Sequence, residues 1–112
     1  MEFVDEELSK TDLARLQVKY GDYVKVTVDI ENEWIVVGPE LHADGESLLI
    51  EKGSRRDDIW GAGVSFIDKQ VDTTAVLNVQ PHIGNNNLEI LDKKIREKTH
   101  FIIRKYFQKL WY

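Results

Sequence analysis

Glu40-Leu41-His42-Ala43-Asp44 sets two carboxylates around an imidazole at alternate positions, the residue types of a site that holds a metal or polar ligand or moves a proton. On an extended backbone, side chains two apart share a face and stand roughly 7 Å from one another. Glu40, His42 and Asp44 would then converge on one ion, water or ligand. The same residues have a second reading, in which His42 and Asp44 hydrogen-bond local backbone at a strand-to-helix junction and Asp44 caps a short helix. A catalytic zinc usually takes three protein ligands. The other histidines are His82 and His100, and only His82, just past a predicted strand, is placed to meet His42. The chain has no cysteine, which excludes thiol catalysis, thiolate zinc sites and disulfides. We expect neither a metal nor another cofactor.

A second stretch, Pro81-His82-Ile83-Gly84-Asn85-Asn86-Asn87, reads as a loop opening toward a helix N-terminus, where free amides and a partial positive charge can hold an anion. Asn and Gly are equally what a plain turn uses to reach left-handed backbone angles, and the glycine spacing of a phosphate loop is absent. A third stretch interleaves Lys93, Lys94, Arg96, Lys98, Arg104, Lys105 and Lys109 with Phe101, Tyr106, Phe107, Trp111 and Tyr112. Such a pattern can bind RNA or lie on a membrane, but it also describes a core helix with a solvated basic face. Ser47, Ser54 and Ser65 lack the glycine elbow of a nucleophilic serine.

The elements that must position these residues follow from periodicity. Ser9-Lys10-Thr11-Asp12 is a capping box, and a helix over about 10–20 ends at Gly21. Tyr23–Ile30 alternates as a half-buried strand and Trp34–Val37 is a second, more continuously apolar one, the pair forming a hairpin. Residues 43–52 fit either a buried strand or a short helix stopped by Gly53, and we prefer the helix. Ile59–Ile67 is a third strand, with Gly61 and Gly63 on the face opposite Trp60, where another element or a ligand can approach the backbone closely. Thr73–Val79 is a fourth strand, stopped by Pro81 and paired with the third as a second hairpin. Leu88–Tyr112 is a long amphipathic helix with Asn87 as its N-cap. The expected fold is α+β: a single domain with a mainly antiparallel four-stranded sheet of two hairpins, helices packed on one face, in the order α-β-β-(α)-β-β-α.

With 112 residues, 42% of them apolar and 31% charged, the chain has the composition of one globular domain. Its net charge of −5 hides an asymmetry. Residues 1–51 carry 13 Asp and Glu against 4 Lys and Arg, and residues 52–112 carry 7 against 11. Nucleic acid is not expected as a partner of so acidic a front half. The acidic N-terminus lacks the basic and apolar parts of a signal peptide, and no apolar run approaches the roughly 20 residues that span a bilayer. A cytoplasmic location is the expectation. Phe107, Trp111 and Tyr112 exceed what one helical stripe needs and suggest a homodimer contact or a surface for another cytosolic protein.

Taken with Glu51-Lys52-Gly53-Ser54, Trp60-Gly61, Asn78, Pro81 and Gly84-Asn85, the Glu40–Asp44 motif resembles a family of small prokaryotic proteins labelled domain of unknown function, over about residues 22–105. The family pattern often carries an acidic residue where this chain has Gly45, which weakens an acidic metal cluster. The resemblance implies no activity. It does imply that the two loops belong together, with His42 and Asp44 lining a cleft with Asn78, His82 and Asn85 and with Trp60 as one wall. Two functional readings follow: a non-enzymatic binding or interaction module, and a small hydrolase or ligand-processing enzyme in which His42 is the base, Asp44 or Glu40 orients it, and the Gly84–Asn87 loop holds an anionic group.

Overall fold

The structure, a computed structural model, describes residues 1–112. The Ser9 hydroxyl accepts the Asp12 amide at 3.0 Å and the Asp12 carboxylate accepts the Ser9 amide at 2.9 Å, closing the capping box of helix α1, Lys10–Tyr20. Gly21, at φ +84°, ends it. Strands β2 (Tyr23–Asp29) and β3 (Trp34–Val37) form the expected hairpin. Its turn is tied by the Asp29 carboxylate, which accepts from the amides of Glu31 and Asn32.

β2 also pairs along its whole length with β4, Ile59–Ser65. Two short strands complete a five-stranded, wholly antiparallel sheet: β1 (Glu2–Val4) beside β3, and β5 (Gln70–Asp72) beside β4, giving the order β1-β3-β2-β4-β5. The expectation of four strands is thus corrected to five. β1 has only three residues and shows no alternation that a sequence reading can use. The fourth predicted strand, Thr73–Val79, leaves the sheet after Asp72 and closes into a 3-10 turn at Val76–Asn78. Its alternating pattern reflects Ala75 packing onto the sheet and Leu77 packing under the second helix, not strand pairing.

Helix α2 spans His42–Glu51, so the ambiguous stretch is helical. The last helix, α3, is Lys93–Tyr106, followed by a 3-10 turn at Gln108–Leu110. Its N-cap is Asp92, whose carboxylate accepts the amides of Lys94 and Ile95 at 2.8 and 3.1 Å, and not Asn87, whose side chain accepts the Glu89 amide in a local turn.

The helices cover both faces of the sheet, a correction to the one-face expectation. α1 and α3 bury Val24, Val26, Val28, Ile35, Val37, Ala62 and Val64 against Leu13, Leu16, Ile102, Ile103 and Phe107. α2 lies on the opposite face, where Leu49 packs with Val36 and Ile59. The unbroken apolar run of β3 is what burial on both faces requires. β2 concealed the second face because its residues there are polar, yet Thr27 and Asp29 are fully buried. Thr27 Oγ1 donates to the His42 carbonyl at 3.1 Å and so anchors the start of α2.

Gly45 allows that contact, since a Cβ there would overlap Thr27 Oγ1 and stand 2.7 Å from Thr27 Cβ. Gly45→Ala should therefore lower stability by about 1–3 kcal/mol in urea unfolding, although the same change in an exposed helix raises it.

Candidate functional site

On the α2 side of the sheet, strand register sets Thr27 beside Gly61, and Gly63 between Lys25 and Asp72. The two glycines leave the sheet bare, and two rings fold over them. A Cβ on Gly63 would overlap the Tyr23 hydroxyl, and one on Gly61 would stand 3.1 Å from His42 Cδ2 and 2.6 Å from Ala75 Cβ. The close approach predicted at these glycines is made by protein side chains.

His42 is the first residue of α2. Its Nε2 lies 2.8 Å from the Ala62 carbonyl. A carbonyl only accepts, so the proton sits on Nε2, and Nδ1 keeps its lone pair with no hydrogen-bond partner in the protein. Burial lowers the His42 pKa from its ordinary value; the Ala62 carbonyl and the Asp72 charge oppose this, while Lys25 adds to it. The ring is thus neutral at pH 7, a fixed hydrogen-bond acceptor. Tyr23 donates its hydroxyl to Asp72 at 2.7 Å, and burial, reinforced by Asp72, raises its pKa so that it keeps that proton.

These groups line a groove of about 530 Å³. Tyr23, Lys25 and His42 form its polar side, Leu41 and Ala43 one apolar wall, and Thr74, Ala75, Val76 and Leu77 the other. The second wall is fixed from behind. β5 stops at Asp72, so β4 has an unpaired edge from Gly61 to Ile59, and amide side chains complete it. Asn78 Oδ1 accepts the Gly61 amide at 2.7 Å while Nδ2 donates to the Gly61 and Thr73 carbonyls at 3.0 and 2.9 Å. Gln80 Nε2 donates to the Ile59 carbonyl at 3.2 Å.

Of the predicted residues, His42 alone lines this groove. Glu40, His42 and Asp44 do not share a strand face, because the chain turns helical at His42 and helical residues two apart point to different sides. Asp44 caps α2, its carboxylate accepting the Leu41 amide at 3.3 Å, and with Glu40 it borders a separate depression of about 510 Å³. Trp60 is 1% exposed and, being adjacent to Gly61 in β4, points to the opposite face of the sheet. Asn78 lies beneath the groove wall with its amide fully engaged. Asn85 is buried and donates to the carbonyls of Asn78, Asn87 and Glu89 at 2.8, 3.0 and 2.9 Å.

Gly84, in the left-handed region at φ +84°, ends a 3-10 turn, and His82 pairs with Asp57 at 2.9 Å on the surface. Neither lines the groove. The loop does not open onto a helix N-terminus: α3 begins nine residues after Gly84, and the Asp92 carboxylate already occupies its amides. No group of three or more His, Asp and Glu side chains is placed to hold a metal ion.

The basic helix is largely engaged within the molecule. Lys98 and Lys105 meet Glu33 at 3.1 and 2.8 Å, Lys109 meets Glu7 at 3.0 Å, and Arg104 stacks on Trp111. What the sequence reading missed were Tyr23 and Lys25, in a strand read only as half-buried, and the wall at Thr74–Leu77, assigned to a strand. The paired glycines of β4 were the available signal.

A family model for proteins of unknown function, DUF5674, matches residues 2–106. The chain belongs to this DUF5674 family. The match begins at the first strand and ends with α3, so it takes in the sheet, the three helices and the groove between α2 and the 73–77 wall. No curated protein and no solved structure matches the chain. No helix is long and apolar enough to cross a membrane.

Two outcomes separate scaffold from groove. Asn78→Ala should cost about 2–4 kcal/mol in denaturant unfolding, because it leaves the Gly61 amide and carbonyl unpaired in the interior. His82→Ala should cost under about 1 kcal/mol, its pair being exposed. The pH response has a definite sign. His42 and His100 both have pKa values lowered by burial, so the unfolded chain binds their protons more tightly. Stability is full above the unfolded value of 6.5 and falls as pH drops below it, levelling off under the folded values. Urea midpoints from about pH 7.5 to about pH 5 should show this fall, and a smaller one in His42→Gln, whose amide still reaches the Ala62 carbonyl.

Proposed function

We propose that the protein is a cytoplasmic binding module whose groove between the start of α2 and the Thr74–Leu77 wall takes a small ligand with an apolar body and one polar group. The observation that carries this reading is His42: a half-buried, neutral imidazole, its tautomer fixed by the Ala62 carbonyl, lining a mainly apolar groove. Binding sites are commonly concavities of roughly 300–1,000 Å³ with apolar walls and a few placed polar groups. The alternative hydrolase, with His42 as base, Asp44 or Glu40 orienting it and the Gly84–Asn87 loop holding an anion, has less support. Its orienting partner would have to be a carbonyl, and its other parts lie outside the groove.

A protein occupant is a second reading of the same groove, since Leu41 and Val76 at its rim are 60% and 80% exposed. A partner or a second copy would seat an apolar side chain between them. Sedimentation across a concentration series addresses the second copy directly.

The test of the first reading is an amide NMR titration with 1-hexanol as a neutral probe. Saturable shifts should be confined to residues 41–43 and 74–77 with the His42 ring, and Ala43→Phe, which fills the groove from an exposed position, should abolish them. Shifts at the depression bordered by Glu40 and Asp44, or none that saturate, would refute it.

A further inference from the structure

Lys25 lines the groove and is half-buried as a residue; its ammonium sits at the exposed edge and forms no ion pair. Its one hydrogen bond goes to the Glu40 carbonyl at 2.7 Å, a neutral acceptor that leaves two of its three donors unused. Lys98 and Lys105 of α3, by contrast, reach Glu33, and Lys109 just beyond it reaches Glu7. The remaining groove residues are uncharged at pH 7: His42 is neutral and Tyr23 keeps its proton. An unpaired cation at the edge of an apolar groove gains a charge-assisted hydrogen bond from an anionic head group that arrives with the ligand.

We propose that the occupant is a small monocarboxylate with an apolar tail, its carboxylate on Lys25 Nζ and its tail between Leu41 and Val76. The proposal rests on the groove being the binding site and adds the charge of the head group. The charges that act on His42 are Lys25 from β2 and Asp72 from the end of β5, and Tyr23 from β2 is the other titratable group lining the groove. Asp72 is the opposing charge. Its oxygens are held by the Tyr23 hydroxyl at 2.7 Å and the Thr74 amide at 3.2 Å, and it stands beyond ion-pair distance of Lys25. A carboxylate on Lys25 adds negative charge beside the His42 ring and favours its protonated form. Nε2–H stays on the Ala62 carbonyl, and the incoming proton occupies Nδ1, turning that atom from acceptor into donor toward the ligand.

The experiment is a parallel NMR titration of the full chain at neutral pH with hexanoate, 1-hexanol and hexylammonium, following groove amides and the His42 imidazole, repeated on Lys25→Met. Hexanoate should bind at least about tenfold more tightly than 1-hexanol, hexylammonium most weakly, and the His42 titration midpoint should rise with bound hexanoate. In Lys25→Met the hexanoate advantage should vanish while 1-hexanol binding persists, which also reports that the variant's groove is intact. Equal affinities for hexanoate and 1-hexanol in the wild type would overturn the carboxylate proposal and leave the groove reading standing. Tighter binding of hexylammonium would overturn it in favour of Asp72. If no probe saturates at the groove amides, both readings fall. The wild-type comparison decides even if the Lys25 variant does not fold.

Discussion

β4 is seven residues long and its outer neighbour β5 only three, so backbone groups in the middle of the molecule need partners that no strand supplies. An unpaired buried peptide group costs as much as a lost hydrogen bond or more. The Asn78 side chain answers this need by acting as a detached peptide unit, giving and receiving with Gly61 as a paired residue would. Everything from Thr73 to Leu91 is arranged around that substitution. Asn85 binds the Asn78 carbonyl and receives the Leu91 amide, Ala75 drops onto Gly61, and Thr74–Leu77 is held up as a wall. A longer β5 would have filled the same space with strand and left no groove.

The groove also depends on what covers the inner face of β4. Gly61 and Gly63 open room on the sheet, and His42 and Tyr23 use it without closing it. Each ring is fixed by a hydrogen bond to something else, the Ala62 carbonyl in one case and the Asp72 carboxylate in the other. A ligand of the proposed site would meet rings already oriented, with little side-chain entropy left to lose on binding. The charge there has a similar logic: the second face of β2 carries Lys25, Thr27 and Asp29, and of these Thr27 and Asp29 are committed to α2 and to the hairpin turn.

Local signals in the sequence were legible where both partners lie within a few residues. The Ser9–Asp12 capping box, the Gly21 stop, the alternation of β2 and the helical reading of 43–52 all belong to this class. Long-range solutions left no local mark. Thr73–Val79 alternates like a strand, and only the unpaired edge of β4, contributed by residues 59–61, explains why a side chain takes the strand's place. Thr27 and Asp29 read as solvent-facing because burial of a polar residue is decided by partners elsewhere in the chain. His42 was conspicuous by type, but its neighbours in the site were not, since Lys25 and Thr74 are ordinary residues made particular by register.

The uneven charge of the two halves is resolved inside the fold. Glu33, in the hairpin turn of the acidic half, receives Lys98 and Lys105, and Tyr106 donates its hydroxyl to the Glu33 carbonyl; Glu7 receives Lys109, and the Leu8 amide binds the Tyr106 carbonyl. These contacts join residues some 65 to 100 positions apart. During synthesis, then, the acidic half precedes its cationic partner, and the hairpin's apolar face, covered in part by α1, lacks its remaining cover until α3 has been made. Contacts of such long sequence separation slow folding and keep apolar surface exposed meanwhile. Like charge opposes association, and the surplus of carboxylates in residues 1–51 supplies it to the segment that lacks its cover.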